Sequence, residues 1–236
     1  MLPALVRSLR LLITLIALLA LAGCGGDDGG AESEAKATPT ESAPQSAPET
    51  TEVGCQKVDK PESKGEGKLP KPTLELDPAK SYTATIATSC GDFEIALDVK
   101  RAPKTTASFV SLAREGFFDA TSFHRIIRGF VVQGGDPLGT GLGGPGYTVV
   151  EAPPKSLRYT RGVVAMAKGG TEPPGASGSQ FFVVTGEDVG LPPDYALVGT
   201  IAGGQEVVDT IGVVATDGTD MPVDPVVVES VEITEG

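Results

Sequence analysis

Apolar and polar residues alternate with period two through Tyr82, Ala84 and Ile86, and again through Phe93, Ile95 and Leu97 after the Cys90-Gly91-Asp92 break. That alternation predicts a β-hairpin with one buried face. From Pro103 the period changes, with Phe109 and Leu112 at helical spacing up to Gly116. Proline in the first turn and glycine past the last are helix punctuation, so a helix is expected there. Strand-like runs follow near 123–127, 130–133, 162–167, 180–185 and 195–201, then a short helix at about 205–211 and a closing strand from Val226 to Ile233. About eight strands and two helices fit either a closed antiparallel barrel, which hides its edges, or a sandwich.

Composition supports a mostly β domain and confines it to part of the 236 residues. There are 31 glycines, 19 prolines and no tryptophan, a balance that suits short strands and turns. The first eighty or so residues do not read as a packed core. A net charge of −12 excludes a nucleic-acid partner, since such binding draws on Lys and Arg.

Residues 1–23 carry Arg7 and Arg10, an apolar run from Leu11 to about Leu21, and small residues before Cys24. These are the parts of a secretory signal peptide, and the ending resembles a bacterial lipobox. On that resemblance Cys24 is the lipidated first residue of the mature protein, held to a membrane by its acyl chains. The apolar run is shorter than the roughly 20 residues a transmembrane helix needs. Residues 24–80 are expected as a disordered tether and linker: Gly, Ser, Ala, Thr, Pro and Glu dominate first, then Lys, Glu and Pro from 56 to 72, and neither part offsets the entropy of ordering. Cys55 and Cys90 remain as a candidate disulfide in an exported protein, the alternative being two free thiols.

The chemistry concentrates in residues 123–136, FHRIIRGFVVQGGD. Two short strands joined at Gly129 would bring Arg125 and Gln133 onto neighbouring strands. His124, the chain's single histidine, has no cluster of Cys or acidic residues beside it and reads as a structural residue next to a functional arginine. Residues 139–144 satisfy G-x-G-x-x-G, but Pro145, Gly146 and a β-like run follow instead of a helix. The phosphate-binding mechanism is therefore missing, and a surface loop is expected. In residues 178–185, GSQFFVVT, alternation puts Gln180 and Phe182 on one face and Phe181 and Val183 on the other.

FHRIIRGFVVQGGD, the glycine loop, MAKGG and GSQFFVVT, in that order and spacing, resemble the cyclophilin family of peptidyl-prolyl cis-trans isomerases. The likeness runs from about Ser81 to Glu235, making 81–236 the expected isomerase domain. It implies an eight-stranded closed antiparallel barrel capped by two helices, in place of a sandwich. It also implies that Arg125 is the main catalytic residue, with Gln133 helping to hold the peptide and the arginine. The proline pocket is expected from Phe130, Val131, Phe182 and Leu191, and Gln180 is a further polar contact. Ala167 and Lys168 match the segment whose backbone pairs with the substrate, and Tyr195 stands where many members carry histidine. Lys168 replaces a common asparagine, and Arg128, where proline is usual, is expected to add a second guanidinium near the site. No metal or other cofactor is implied. The expected partner is a proline-containing polypeptide, met by a monomer that is exported and anchored by lipid to the outer face of a bacterial membrane. A non-catalytic binding module of the same fold and a solute-binding lipoprotein are the competing readings.

Overall fold

A computed structural model describes residue 51 and residues 54–236. The expected signal peptide, Cys24 and the expected tether as far as residue 50, together with residues 52 and 53, lie outside the described residues. No helix among the described residues is long and apolar enough to cross a membrane.

Eleven strands and two helices follow in order: β1 (Tyr82–Thr88), β2 (Gly91–Leu97), α1 (Pro103–Arg114), β3 (Thr121–Ser122), β4 (Arg125–Ile127), β5 (Val131–Gly134), β6 (Val149–Val150), β7 (Val163–Met166), β8 (Ala176–Ser177), β9 (Phe181–Val184), β10 (Leu197–Gly203), α2 (Gln205–Ile211) and β11 (Val227–Glu235). The opening hairpin forms as its alternation requires, with Tyr82, Ala84, Ile86, Phe93 and Ile95 buried and Ile86 opposite Phe93. Helix α1 begins at Pro103 with no side-chain cap of its own. Glu151 supplies one from a distance, accepting from the backbone N–H groups of Lys104 and Thr105 at 3.2 and 2.8 Å; an anion there also suits the positive end of the helix dipole.

The expected eight-stranded closed barrel is not what forms. Nine strands make one antiparallel sheet in the order β3-β11-β1-β2-β10-β7-β9-β5-β4, with β6 and β8 paired separately. The sheet curls into a half-barrel and stays open between its two edge strands, β3 and β4. Those strands are consecutive in the chain, separated by Phe123 and His124 alone. Phe123 makes the crossing: its N–H donates to Val226 O at 2.9 Å and its buried ring meets Phe93 and Phe181. Two strands that continue one another cannot also lie side by side in a ladder; an isolated antiparallel bridge pairs Ser122 of β3 with Asp136, just past β5.

The larger core lies where the buried face of the hairpin, α1 and the inner residues of β5, β7, β9 and β11 meet. Phe109, Phe118, Phe123 and Phe181 form its aromatic centre, with Phe181 edge-on to the other three. Val131, Tyr159, Ala165, Phe182, Val184 and Leu197 make a second, smaller cluster. Successive residues of β9 thus serve opposite sides, Phe181 and Val183 in the first cluster and Phe182 and Val184 in the second, as strand alternation dictates.

Residues 54–80 carry no helix or strand, but from Cys55 on they are laid along the domain instead of hanging free as a disordered linker. Cys55 is buried and bonded to Cys90, 35 residues away, with Cα atoms 4.1 Å apart. Closing a loop of that length removes roughly 3 to 4 kcal/mol of entropy from the unfolded chain in the chain-entropy treatment. Lys64 Nζ then donates to the carbonyls of Gly116, Phe117 and Asp119 at 2.9 to 3.0 Å, just past the end of α1, where a cation suits the dipole. Leu69, Leu74 and Leu76 pack against the larger core.

Candidate active site

Strands β4 and β5 are joined by a turn at Arg128-Gly129 in which Phe130 N–H donates to Ile127 O at 3.0 Å. Gly129 takes φ +69° there, the left-handed conformation that a residue with a Cβ reaches only with strain. The turn sets the register, and Arg125 lies directly opposite Gln133. Next to them β9 pairs Phe182 with Gln133, which brings Gln180 within reach from the end of β9.

A chain of side-chain hydrogen bonds results. Arg125 Nη1 donates to Gln133 Oε1 at 3.5 Å, and Gln133 Nε2 donates to Gln180 Oε1 at 3.0 Å. Gln180 Nε2 in turn donates to the carbonyls of Gly141 and Gly143 at 3.0 and 2.9 Å. Both protons of that amide are thereby used, which fixes which way Gln180 points and so which end of Gln133 faces the arginine. Asp220 stands on the other side of the guanidinium, 3.7 Å from Nε.

Arg125, Gln133, Phe130, Val131, Ala167, Lys168, Phe182, Leu191 and Tyr195 line one open cavity of about 320 Å³. These are the residues expected for the site, apart from Gln180. Gln180 lines an adjoining cavity of about 500 Å³ with the glycine loop at 141–146, and Gln133, Ala167 and Lys168 border both. Val131 and Phe182 form an apolar floor with Phe130 and Leu191 at its edge, and the arginine is the donor above it. Tyr195 meets Phe182 edge-on at 5.4 Å between ring centres, and Lys168 Nζ lies 5.7 Å from the Tyr195 ring. The Lys168 ammonium also donates to Glu172 O, which turns it along the rim of the groove.

Arg128 does not join the site. Its guanidinium donates to Val213 O at 2.9 Å and borders a different cavity with Cys55, Lys57 and Asp224. As a turn residue its direction is not set by strand alternation. Tyr159, by contrast, is a supporting residue that sequence patterns did not single out. Its hydroxyl donates to Tyr195 O at 2.6 Å and accepts from Tyr195 N–H at 3.0 Å, locking one wall of the pocket. Burial pushes its pKa up to about 12, so the hydroxyl keeps the proton that this contact uses. Asp220 was also missed, since an acid 95 positions after Arg125 in a polar turn carries no local signal.

His124 is 6 % exposed and neither ring nitrogen has a hydrogen-bond partner among the described residues. Burial lowers its pKa, outweighing the upward pull of Asp136. Folding therefore favours the neutral ring. On acidification the unfolded chain takes up the proton first, and stability falls as pH drops through the ordinary histidine value of about 6.5. With a single histidine in the chain this is open to direct measurement. The melting temperature should fall between about pH 7 and 5.5, above the range where carboxylates titrate, and His124→Phe should flatten the slope. A wild-type profile that is already flat would contradict this account of the ring. Among the described residues no three His, Cys, Asp or Glu gather as a metal site.

The fold is thus a curled antiparallel sheet with two helices that carries an arginine over an apolar pocket. Residues 83–233 match the family described as cyclophilin type peptidyl-prolyl cis-trans isomerase/CLD, and the chain belongs to that family. It is 42 % identical to peptidyl-prolyl cis-trans isomerase A of Mycobacterium tuberculosis (strain ATCC 25618 / H37Rv), over 66 % of this chain and 94 % of that protein. It is 39 % identical to peptidyl-prolyl cis-trans isomerase B of Streptomyces anulatus, over 66 % and 98 %. A cyclophilin type isomerase of Cryptosporidium parvum, crystallised in the presence of the dipeptide Ala-Pro, superposes with a TM-score of 0.61 at 31 % identity, covering 64 % of this chain and 98 % of its own.

Proposed function

We propose that this chain is a peptidyl-prolyl cis-trans isomerase that works on exported polypeptides, held to the outer face of a bacterial membrane by lipid on Cys24. The observation that carries the enzymatic part is the meeting of Arg125, an apolar pocket and the Gln133–Gln180 pair in one groove, in a chain of this family. The anchor rests on the N-terminal sequence alone.

The chemistry follows from the bond. An X-Pro amide resists rotation because the nitrogen lone pair is delocalised into the carbonyl, with a barrier of about 18 to 20 kcal/mol and exchange over tens to hundreds of seconds. Twisting the bond returns the lone pair to the prolyl nitrogen. Phe130, Val131, Phe182 and Leu191 hold the ring still while the residue before it rotates. Arg125 donates to the nitrogen or carbonyl side of the twisted amide more strongly than to either planar isomer, which lowers the barrier without raising ground-state affinity to match. Gln133 keeps the guanidinium directed, and Ala167 and Lys168 offer backbone to the extended peptide beside Tyr195. Protein side chains suffice for every step. That one copy contains the whole groove supports a monomer as the working unit.

Two measurements test the reading. NMR exchange spectroscopy on a short Ala-Pro peptide should show cis-trans interconversion accelerated by catalytic amounts of the chain; exchange at the uncatalysed rate would leave only a binding module. In cells, Cys24→Ser should move the protein from the membrane pellet to the soluble fraction and abolish palmitate labelling. Unchanged membrane association would remove the anchor.

A further inference from the structure

Gln180 is directed by the carbonyls of Gly141 and Gly143, so whatever fixes the glycine loop also fixes the polar side of the active site. At the upstream end the loop is held from inside the domain: the buried carboxylate of Asp136 accepts from the N–H groups of Leu138, Thr140 and Gly141. At the downstream end it is held by the segment that leads in from the tether. Gly67 N–H donates to Gly144 O and Leu69 N–H to Pro145 O, both at 2.9 Å, and Lys71 Nζ donates to Thr148 O at 3.1 Å.

The crossing is too close for side chains. A Cβ on Gly67 would come within 2.7 Å of Gly144 O and of Pro145 Cα, and one on Gly146 within 2.6 Å of Gly67 O. All of these neighbours are backbone atoms and cannot swing aside. The strap is itself held at its upstream end, by Lys64 on the carbonyls after α1 and, earlier in the chain, by the Cys55–Cys90 disulfide. A glycine-rich loop tied at one end only would keep much of its conformational freedom; tied at both, it presents its carbonyls at fixed points.

We propose that residues 64–71 are a positioning strap of the active site: they set the glycine loop, the loop sets Gln180, and Gln180 sets Gln133 against Arg125. Gly67 is the positioning residue, since its missing side chain allows the contact. The inference rests on the assignment of Arg125, Gln133 and Gln180 to the isomerase site, and it gives the end of the tether a part in catalysis beyond spacing the domain from its anchor.

A double-mutant cycle on the mature chain separates this from a merely structural role. Gly67→Ala should lower kcat for a short X-Pro peptide about tenfold, as small misplacements of catalytic groups do, with the domain still folded by its thermal melt. The Gln180 side-chain amide resonances should move with it. In a Gln180→Ala background the same substitution should change kcat by less than about twofold, because the route it acts through is already cut. Lys71→Met, at the exposed end of the contact, goes through the same cycle with the same expected pattern in case Gly67→Ala does not fold. Wild-type kcat with unmoved Gln180 resonances, or losses that multiply in the double variant, would overturn the strap's role. If Arg125→Ala and Gln180→Ala themselves keep wild-type kcat, the site assignment fails and the proposal goes with it.

Discussion

Arg125→Ala should lose most of the isomerase activity, with kcat/KM for a short X-Pro peptide down by about 10²- to 10³-fold, while the domain remains folded. The size follows from the part the guanidinium plays. Of the two cations that line the cavity, Arg125 and Lys168, it is the one whose donors are directed by Gln133, and removing one preorganised donor from a site of this kind costs about 2.7 to 4 kcal/mol of transition-state stabilisation. The fold should be indifferent. The side chain is 40 % exposed and its ion pair with Asp220 spans 3.7 Å, a surface arrangement worth at most about 1 kcal/mol. Arg125→Lys makes the test sharper, because it keeps the charge and loses the planar fork. It should recover only a small part of the rate if directed hydrogen bonding matters, and most of it if charge alone does. An alanine variant within about threefold of wild type, measured by NMR exchange at equal folded concentration, would take the catalytic role away from Arg125.

What made that residue legible was a turn. Gly129 between two apolar runs demands a tight reversal, and the reversal puts Arg125 opposite Gln133 without any knowledge of the rest of the fold. Strand alternation placed Gln180 and Phe182 together in the same way. Where neither rule applies the reading fell short. Arg128 sits in the turn itself and went the other way, to Val213. Strands β3, β6 and β8 are two residues long, too short to have a period. The barrel's openness depends on how Phe123 and His124 cross a seam, which no strand count contains. The segment from 54 to 80 looked disordered because its composition offers little to bury; it is ordered by backbone bonds to partners 70 or more positions away and by Lys64. Its traces in the sequence were Cys55, a disulfide candidate with Cys90, and Leu69, Leu74 and Leu76, which reach the larger core.

The same distinction between local signal and distant consequence makes Asp136 the second test. In the sequence it only follows a pair of glycines, yet it is 1 % exposed and each of its carboxylate oxygens is spent on the loop. Oδ1 accepts from Leu138 N–H at 2.8 Å, and Oδ2 from Thr140 N–H at 2.8 Å and from Gly141 N–H. A carboxylate bonded to backbone donors contributes about 1.5 to 3 kcal/mol per bond, and buried donors stripped of their acceptor cost further desolvation. Asp136→Ala should therefore lower stability by about 3 kcal/mol or more, after relaxation of an otherwise exposed loop tip, for which Leu142 at 84 % exposure leaves room. For a domain of this size that is a fall in Tm of roughly 6 to 12 °C. Activity should fall too, even well below the melting temperature, because Gly141 O is one of the two acceptors that direct Gln180. Asp136→Asn would settle which property matters: its amide keeps one acceptor oxygen but turns an NH₂ toward the remaining donors, so it should behave closer to alanine than to aspartate. If instead Asp136→Ala unfolds within about 1 kcal/mol of wild type in urea and keeps its kcat, the loop is held by the strap and by Gln180 alone, and the buried carboxylate has no part in shaping the site.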